Sequence, residues 1–358
     1  MLVRGLRLTN LRSRHALEVQ LGPGLTVLVG PNGAGKTTVL EAATLALQGT
    51  PLRVGSVRDL ISRDQDHLRV EVQLEHDGAT VTAAAAYSRG GERRLTADGA
   101  LLGDSSRWRE TLPVRTFVPD DLRLIKGSPR RRREYLDTLA ARCEPGYADT
   151  LRRYEEALAQ RNMLLRGGRG GVDSAQFGPW ETILAQTGLA VSGWRSATLA
   201  SFIVSFQRTY ADLTGDPADT LRLVYRSNVA DLDVAGYQER LADMRNADRQ
   251  RTYTHLGPHR DDLRLMRRGL DMRDCASQGE QRAALLTLVL AEWEYQCGVA
   301  QTPLLLLDDV MSELDEARRR ALVALVRRGG QTVITTTDLR YFSSEELREV
   351  TVVELTGG

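Results

Sequence analysis

Apolar and polar residues alternate along "LVRGLRLTNL" from Leu2, the two-residue period of a half-buried strand. The run "LTVLVG", Leu25 to Gly30, is apolar between glycines, which predicts a short strand. "KTTVLEAATLALQG" is apolar nearly all round and stops at Gly49, so it predicts a central, buried helix. From Leu68 to Leu102 the pattern is hairpin-like, with Asp77-Gly78 as a turn between two strands of a small antiparallel sheet.

The middle of the chain changes period. "GSPRRRREYLDTLAARC" opens with Ser128 as a cap and Pro129 at the first helical position. Helical periodicity continues through "YEEALAQRNMLLRG", breaks at "GGRGGVDS" and resumes from Trp180 to Tyr210, without sustained heptads. The α/β texture returns at the end: "LLLLDDV" predicts a buried strand, "EARRRALVALVRRGG" a helix and "QTVITTT" another strand. These elements predict an α/β lobe built from both chain ends, residues 1–118 and 300–358, with a mostly helical lobe, residues 119–299, inserted between them.

Composition narrows the function. With 42% apolar and 27% charged residues among 358, this is an ordinary globular composition. Lys and Arg total 48 against 47 Asp and Glu, so a polyanion can be held only by local basic patches. Cys143, Cys275 and Cys297 show no C-x-x-C spacing, which points to a reducing compartment and away from a disulfide framework or a zinc site. No uninterrupted apolar run is long enough to span a bilayer, and nothing at the N-terminus resembles a signal peptide.

"GPNGAGKT", Gly30 to Thr37, fits G-x-x-x-x-G-K-[ST] and follows an apolar strand and precedes a helix, the context that separates a phosphate loop from a chance glycine-rich turn. Gly30, Asn32, Gly33, Ala34, Gly35, Lys36, Thr37 and Thr38 are the expected nucleotide positions. Backbone N–H groups of Gly33 to Lys36 would cradle the phosphates, Lys36 would act on the β and γ oxygens, and Thr37 would hold Mg²⁺. "LLLLDDVMSELD", Leu304 to Asp315, ends a strand in two carboxylates. Asp308 is suited to Mg²⁺ and Asp309 to polarising a water; the plainer alternative is a loop start or a helix cap.

"SQGEQRAALLTLVLAEW", Ser277 to Trp293, starts with an S-x-x-E capping box made by Ser277 and Glu280. A capping role does not explain Gly279, which costs a helix interior roughly 1 kcal/mol relative to alanine. A helix N-terminus with a glycine in its first turn is a place for a phosphate to approach the backbone.

Together the phosphate loop, the serine-glycine element, the D-D strand end and the following S-E-L-D resemble an ABC-type P-loop ATPase head of the Rad50 and SMC kind. Within that group, "PDDLRLIKGSPRRRREYLD" (Pro119 to Asp137), "GPHRDD" (Gly257 to Asp262), "SQGEQR" and "LLLLDDVMSELD" resemble the RecF family of bacterial recombination mediators over nearly the whole chain. The resemblance implies mixed sheets around a central helix in the first lobe, and a helical second lobe carrying the signature. It also implies that Ser277, Gly279 and Gln281 serve an ATP held by the phosphate loop of a second copy, with Asp308 as the Mg²⁺-associated acid and Asp309 as the general base. Ser312 to Asp315 would form the loop that crosses between the copies. The implied function is an ATP-driven homodimer clamp on duplex DNA or a single-strand/duplex junction, with weak DNA-stimulated ATPase activity, assisting recombinase loading in repair. RecR, RecO and RecA are the implied protein partners, and the location is cytoplasmic, on the nucleoid, with no membrane. Two departures from the broader ABC pattern predict slow hydrolysis: Asp309 stands where glutamate is usual, and Thr337 where a switch histidine is usual. A transporter-type ATPase subunit and an ATP-liganded scaffold share the same nucleotide signals.

Arg130 to Arg133, Arg152, Arg153, Arg161, Arg166 and Arg169 crowd the helical segment. They are suited to phosphate contacts along DNA, or equally to a solvated face balanced by Glu134, Glu155 and Glu156. His259 and Arg260 fit either a structural site or a polar network between the lobes.

Overall fold

A computed structural model describes residues 1–356 apart from 54, 77, 103–112, 119–121, 168–172 and 298–301. The strands, in chain order, are β1 (Leu2–Leu11), β2 (Arg14–Gln20), β3 (Leu25–Val29), β4 (His67–His76), β5 (Ala79–Ser88), β6 (Arg93–Ala97), β7 (Ala100–Leu101) and β8 (Val114–Phe117). They continue as β9 (Leu221–Arg226), β10 (Asp262–Arg267), β11 (Leu270–Asp271), β12 (Leu304–Leu307), β13 (Thr332–Thr336) and β14 (Thr351–Glu354). The chain divides into two compact units.

The first unit comprises Met1–Asp121, Arg208–Pro217 and Gln278–Gly358. It contains a six-stranded antiparallel sheet, β2-β1-β4-β5-β6-β7, and a five-stranded parallel sheet, β14-β3-β13-β12-β8. Helix Lys36–Gln48 packs against strands of both sheets. Its residues share one hydrophobic cluster with Leu6, Leu8, Val70 and Val72 of the antiparallel sheet and Leu28, Leu304 and Val333 of the parallel one. The expectation of an α/β fold with sheets around a central helix is met.

Local sequence explains these elements. In β4, Leu68, Val70, Val72 and Leu74 are fully buried and alternate with polar residues, as a sheet with one covered face requires. In β12 all four leucines are buried, because a strand inside a parallel sheet is covered on both faces. The hairpin turn falls where expected: His76 pairs with Ala79 and Gly78 adopts φ 78°, while Asp77 lies outside the described residues.

The second unit comprises Leu122–Gln207 and Ala218–Ser277. Helices Pro129–Cys143, Tyr147–Arg166, Gly178–Thr214 and Val234–Asp243 dominate it, as predicted, and Ser128 and Pro129 start the first of these. It also holds a three-stranded antiparallel sheet, β11-β10-β9, that the helical reading overlooked. Its signal is the alternation in "LRLVYR" and "DLRLMR", where Leu221, Leu223, Leu263 and Leu265 are buried.

Two features differ from the expected division at residues 118 and 300. Helix Gln278–Cys297 belongs with the ATPase-like unit, because Leu285, Leu286, Leu288 and Leu290 are buried, the Trp293 indole N–H donates to the Pro303 carbonyl at 2.9 Å, and Glu292 pairs with buried Arg115 of β8 at 2.8 Å. The end of helix Gly178–Thr214 also joins the first unit from Arg208 onward, where Arg208 pairs with Glu294 and Asp212 with Arg328, both at 2.6 Å. That helix contains a window with mean hydropathy 1.2, long and apolar enough to cross a membrane by length and composition alone. The same helix carries Arg195, 2% exposed and paired with Asp137 at 2.6 Å, an interior ion pair of the second unit.

Candidate nucleotide site

The parallel sheet delivers the phosphate loop, Asp308, Asp309 and Thr335 to the C-terminal ends of its strands. After β3, the Gly30 N–H still reaches the Thr336 carbonyl at 3.3 Å. The chain then turns through Gly33 at φ 84° and Gly35 at φ 82°, both in the left-handed region that favours glycine. Gly30 is required for another reason: a Cβ there would lie 2.3 Å from the Leu355 carbonyl oxygen. Helix Lys36–Gln48 starts on Gly35 without a side-chain cap, so N–H groups of its first turn are left for an anion.

Lys36 folds back over this loop, its ammonium donating to the carbonyls of Gly30 at 2.7 Å and Pro31 at 2.9 Å. Burial lowers its pKa below the ordinary lysine value, against the opposing pull of Asp309 and Asp308. Asn32, Gly33, Gly35, Lys36, Thr37 and Thr38 line an open cleft of about 380 Å³ together with Asp308 and Asp309. Ala34 is 1% exposed and packs its methyl into the core cluster, so only its backbone is available to a ligand.

Asp308 follows β12 and is almost wholly buried. Its Oδ1 accepts from the hydroxyls of Thr37 and Thr335, each at 2.9 Å, and its Oδ2 accepts from Arg53 at 3.0 Å. Thr37 and Asp308 are hard oxygen donors, and Mg²⁺ is commonly held by one or two such protein groups together with substrate phosphates. They fit that ion. Asp309 adopts φ 46° and ψ 32°, a left-handed conformation uncommon outside glycine, held by its N–H donating to Thr335 Oγ1 at 2.8 Å. Its Oδ1 is buried and has no hydrogen-bond partner among the described residues. A carboxylate oxygen in that condition can accept a proton from a water brought to it. The following loop is pinned by the Arg319 guanidinium donating to the Met311 carbonyl at 2.9 Å and by an ion pair of Arg282 with Glu313. Asp315 caps helix Glu316–Val326, accepting from the Arg318 N–H at 2.9 Å.

The sequence reading missed Arg12, Arg53 and Thr335. Arg12 lines the cleft and pairs with Glu41, a carboxylate 1% exposed in the central helix, which holds the guanidinium pKa above its ordinary value. Glu41 was the available signal, since an acid in a helix buried nearly all round needs a cation. Arg53 and Thr335 carried no comparable mark.

At the signature element, helix Gln278–Cys297 begins one residue after Ser277, and Ser277 and Gly279 are exposed. Apart from its chain neighbours and the backbone of its own helix, no atom of the described residues lies within 4 Å of the place a Gly279 Cβ would take. Gln281, expected beside a partner's nucleotide, is instead 1% exposed, because its position on the helix turns it into the unit.

The arginine cluster is not one surface. Arg161 is fully buried, donating to Asp248 at 2.7 Å, Thr254 at 2.8 Å and Glu181 at 3.2 Å, so it is excluded from DNA contact. Arg132 is 4% exposed and grips Asp262 through two bonds of 2.7 and 3.1 Å. Arg130 pairs with Glu134 and Arg152 with Asp149 and Glu156 on exposed helix faces. Arg153 and Arg166 are exposed, and Arg169 lies outside the described residues. Within the second unit, "GPHRDD" forms an internal polar lock. His259 accepts the Tyr154 hydroxyl on Nδ1 at 2.5 Å and donates Nε2–H to the Thr254 carbonyl at 2.9 Å. Asp261 accepts from Ser192, Tyr225 and the Asn228 N–H. A Cβ at Gly257, φ 134°, would lie 2.3 Å from the hydroxyls of both Tyr154 and Tyr237.

A glycine-rich phosphate loop feeding a central helix, an acid-ended neighbouring strand, a serine-glycine helix start and a flanking antiparallel sheet define an ABC-type P-loop ATPase head. The family model for the RecF/RecN/SMC N-terminal domain matches residues 2–355. The DNA replication and repair protein RecF of Heliobacterium modesticaldum is 35% identical, with 100% of this chain and 98% of that protein covered. That of Moorella thermoacetica is 36% identical over 99% of this chain and 94% of that protein. A solved structure of the recombination mediator protein RecF with ATP, in the RecFOR pathway, matches with TM-score 0.81 and 25% identity, covering 94% of this chain and 92% of that one. An SMC head bound to the C-winged helix domain of ScpA shares the fold, at TM-score 0.58 and 16% identity over 95% and 90% of the two chains. The chain belongs to the RecF family.

Proposed function

We propose that this chain is an ATP-dependent DNA-binding protein of recombinational repair, in which ATP joins two copies into a clamp on duplex DNA or a single-strand/duplex junction. The observation that carries the reading is Gly279. It costs the helix roughly 1 kcal/mol, no described group beyond its chain neighbours and its own helix backbone approaches within 4 Å of its missing Cβ, and it stands exposed beside Ser277 at the start of a 20-residue helix. A phosphate held by the phosphate loop of a second copy accounts for it.

In this reading the loop N–H groups and Lys36 hold the phosphates, while Thr37 and Asp308 hold Mg²⁺, which neutralises phosphate charge when bound. Asp309 takes the proton of the attacking water through its unpartnered Oδ1. Its carboxylate is one methylene shorter than glutamate, so turnover is slow, and DNA stimulates it by stabilising the dimer. The relatives' names, a DNA replication and repair protein and a recombination mediator in the RecFOR pathway, support DNA as the partner and repair as the setting; duplex or junction DNA, recombinase loading with RecR, RecO and RecA, and the nucleoid are our extension of that reading. Exposed Arg153 and Arg166 are the better candidates for DNA phosphates; buried Arg161 is not.

Sedimentation with ATP, ADP or no nucleotide, each with and without duplex DNA, tests the reading. A dimer and DNA co-sedimentation only with ATP are expected. Equal association in all three nucleotide conditions overturns it.

A further inference from the structure

Asp308 is engaged from three sides. A carboxylate offers about four lone-pair sites, and three donors already meet it: the Thr37 hydroxyl, shared between the two oxygens at 2.9 and 3.1 Å, the Thr335 hydroxyl at 2.9 Å and Arg53 at 3.0 Å. The partners differ in how readily they can leave. Thr335 is fixed in β13 and also holds the Asp309 N–H at 2.8 Å. Thr37 is itself a metal-binding hydroxyl in the reading above. Among the described residues, Arg53 is the charged group bonded directly to Asp308, and its side chain is 40% exposed while that of Asp308 is 3% exposed. It can swing into solvent without stranding its own charge, whereas Asp308 cannot remain buried without a cation.

We propose that Arg53 is a displaceable counter-ion of Asp308, so that the site accepts a divalent cation only together with ATP. Arg53 lines the same cleft as the phosphate loop. Phosphate charge entering that cleft would draw the guanidinium off Asp308, and the divalent cation that travels with the nucleotide would take its place beside the carboxylate. Without nucleotide, a divalent ion has to compete with Arg53 unaided, and the ion pair wins. Arg53 is therefore a positioning residue that makes metal and nucleotide binding cooperative. The proposal rests on Thr37 and Asp308 being the metal-binding groups.

The test is Mn²⁺ binding to the full chain, followed by the electron-spin signal of free Mn²⁺, with and without ATP. Without nucleotide, Arg53→Gln should bind one Mn²⁺ about tenfold or more tightly than the unaltered chain, and Arg53→Lys, which keeps the charge, should restore weak binding. With ATP, unaltered chain and Arg53→Gln should differ much less. Equal nucleotide-free Mn²⁺ affinity for the unaltered chain and a folded Arg53→Gln overturns the proposal. Asp308→Asn separates the two ideas. If it loses the Mn²⁺ bound with ATP while Arg53→Gln changes nothing, the metal assignment stands and only the role of Arg53 fails. If it keeps that Mn²⁺ at full affinity, the metal assignment fails and takes the Arg53 proposal with it.

Discussion

The hydroxyl of Thr37 stands 2.9 Å from Asp308 Oδ1, although 271 positions separate the two residues. Three adjacent parallel strands bring them together: β3 runs into the phosphate loop, β12 ends at Asp308, and β13 lies between them and contributes Thr335 to both aspartates. The site is thus a property of strand order, and each of its parts can be disturbed separately.

Lys36→Met should weaken ATP binding roughly a hundredfold, the scale of a lost charge-assisted contact to phosphate. Lys36→Arg should bind better than Lys36→Met yet turn over poorly, because a planar fork cannot reproduce the placement of a point charge. Titration with a fluorescent ATP analogue and a steady-state phosphate assay measure both. Turnover of Lys36→Arg at the unaltered rate would remove Lys36 from the chemistry.

Ser277→Arg should leave ATP binding by the single chain nearly intact and block ATP-dependent dimerisation, since Ser277 is exposed and the added side chain would fill the approach that Gly279 leaves open. Mixing Ser277→Arg with Lys36→Met chains should recover part of the dimer, because both lesions then fall on one composite site. Light scattering of each chain alone and of the mixture reads the result. A Ser277→Arg chain that dimerises normally would leave the serine as a helix cap only.

Arg161→Leu should destabilise the helical unit by about 3–5 kcal/mol, because it strands a fully buried Asp248 without its cation. The exposed Arg153→Ala should change stability by no more than about 0.5 kcal/mol. Urea unfolding distinguishes them, and equal midpoints would contradict the buried network.

Stability should also fall in acid through His259. Burial pushes its pKa down to about 4, with the hydrogen bond to the Thr254 carbonyl opposing. The unfolded imidazole titrates near 6.5, so the unfolded state binds more protons between those values. The contribution is fully present above pH 6.5 and is lost as pH falls toward 4, amounting to about 2 kcal/mol by pH 5. Unfolding midpoints at pH 7.5 and 5 should differ less in His259→Gln than in the unaltered chain; an unchanged difference would count against a neutral, buried imidazole.

Much of this molecule is written locally. The glycines of "GPNGAGKT" permit the left-handed conformations found at Gly33 and Gly35, the helix after them, apolar nearly all round, is central, and the two-residue period of β4 assigns its faces, because backbone preference and burial period act over a few residues. Those same local rules locate Asp308 and Asp309 at a strand end. They do not say which cation accompanies them. Arg53 and Arg161 are the same residue type, yet one is the partly exposed counter-ion of Asp308 and the other is fully buried against Asp248 and Glu181. Thr335, one of three consecutive threonines, acquires its role only because β13 lies beside β12. The signature helix joins the ATPase unit because Glu292 meets Arg115 of β8, far away in the sequence, and Trp293 meets Pro303. Residue type and period are short-range properties, whereas charge pairing and burial of a side chain depend on which distant strand or helix the fold places next to it.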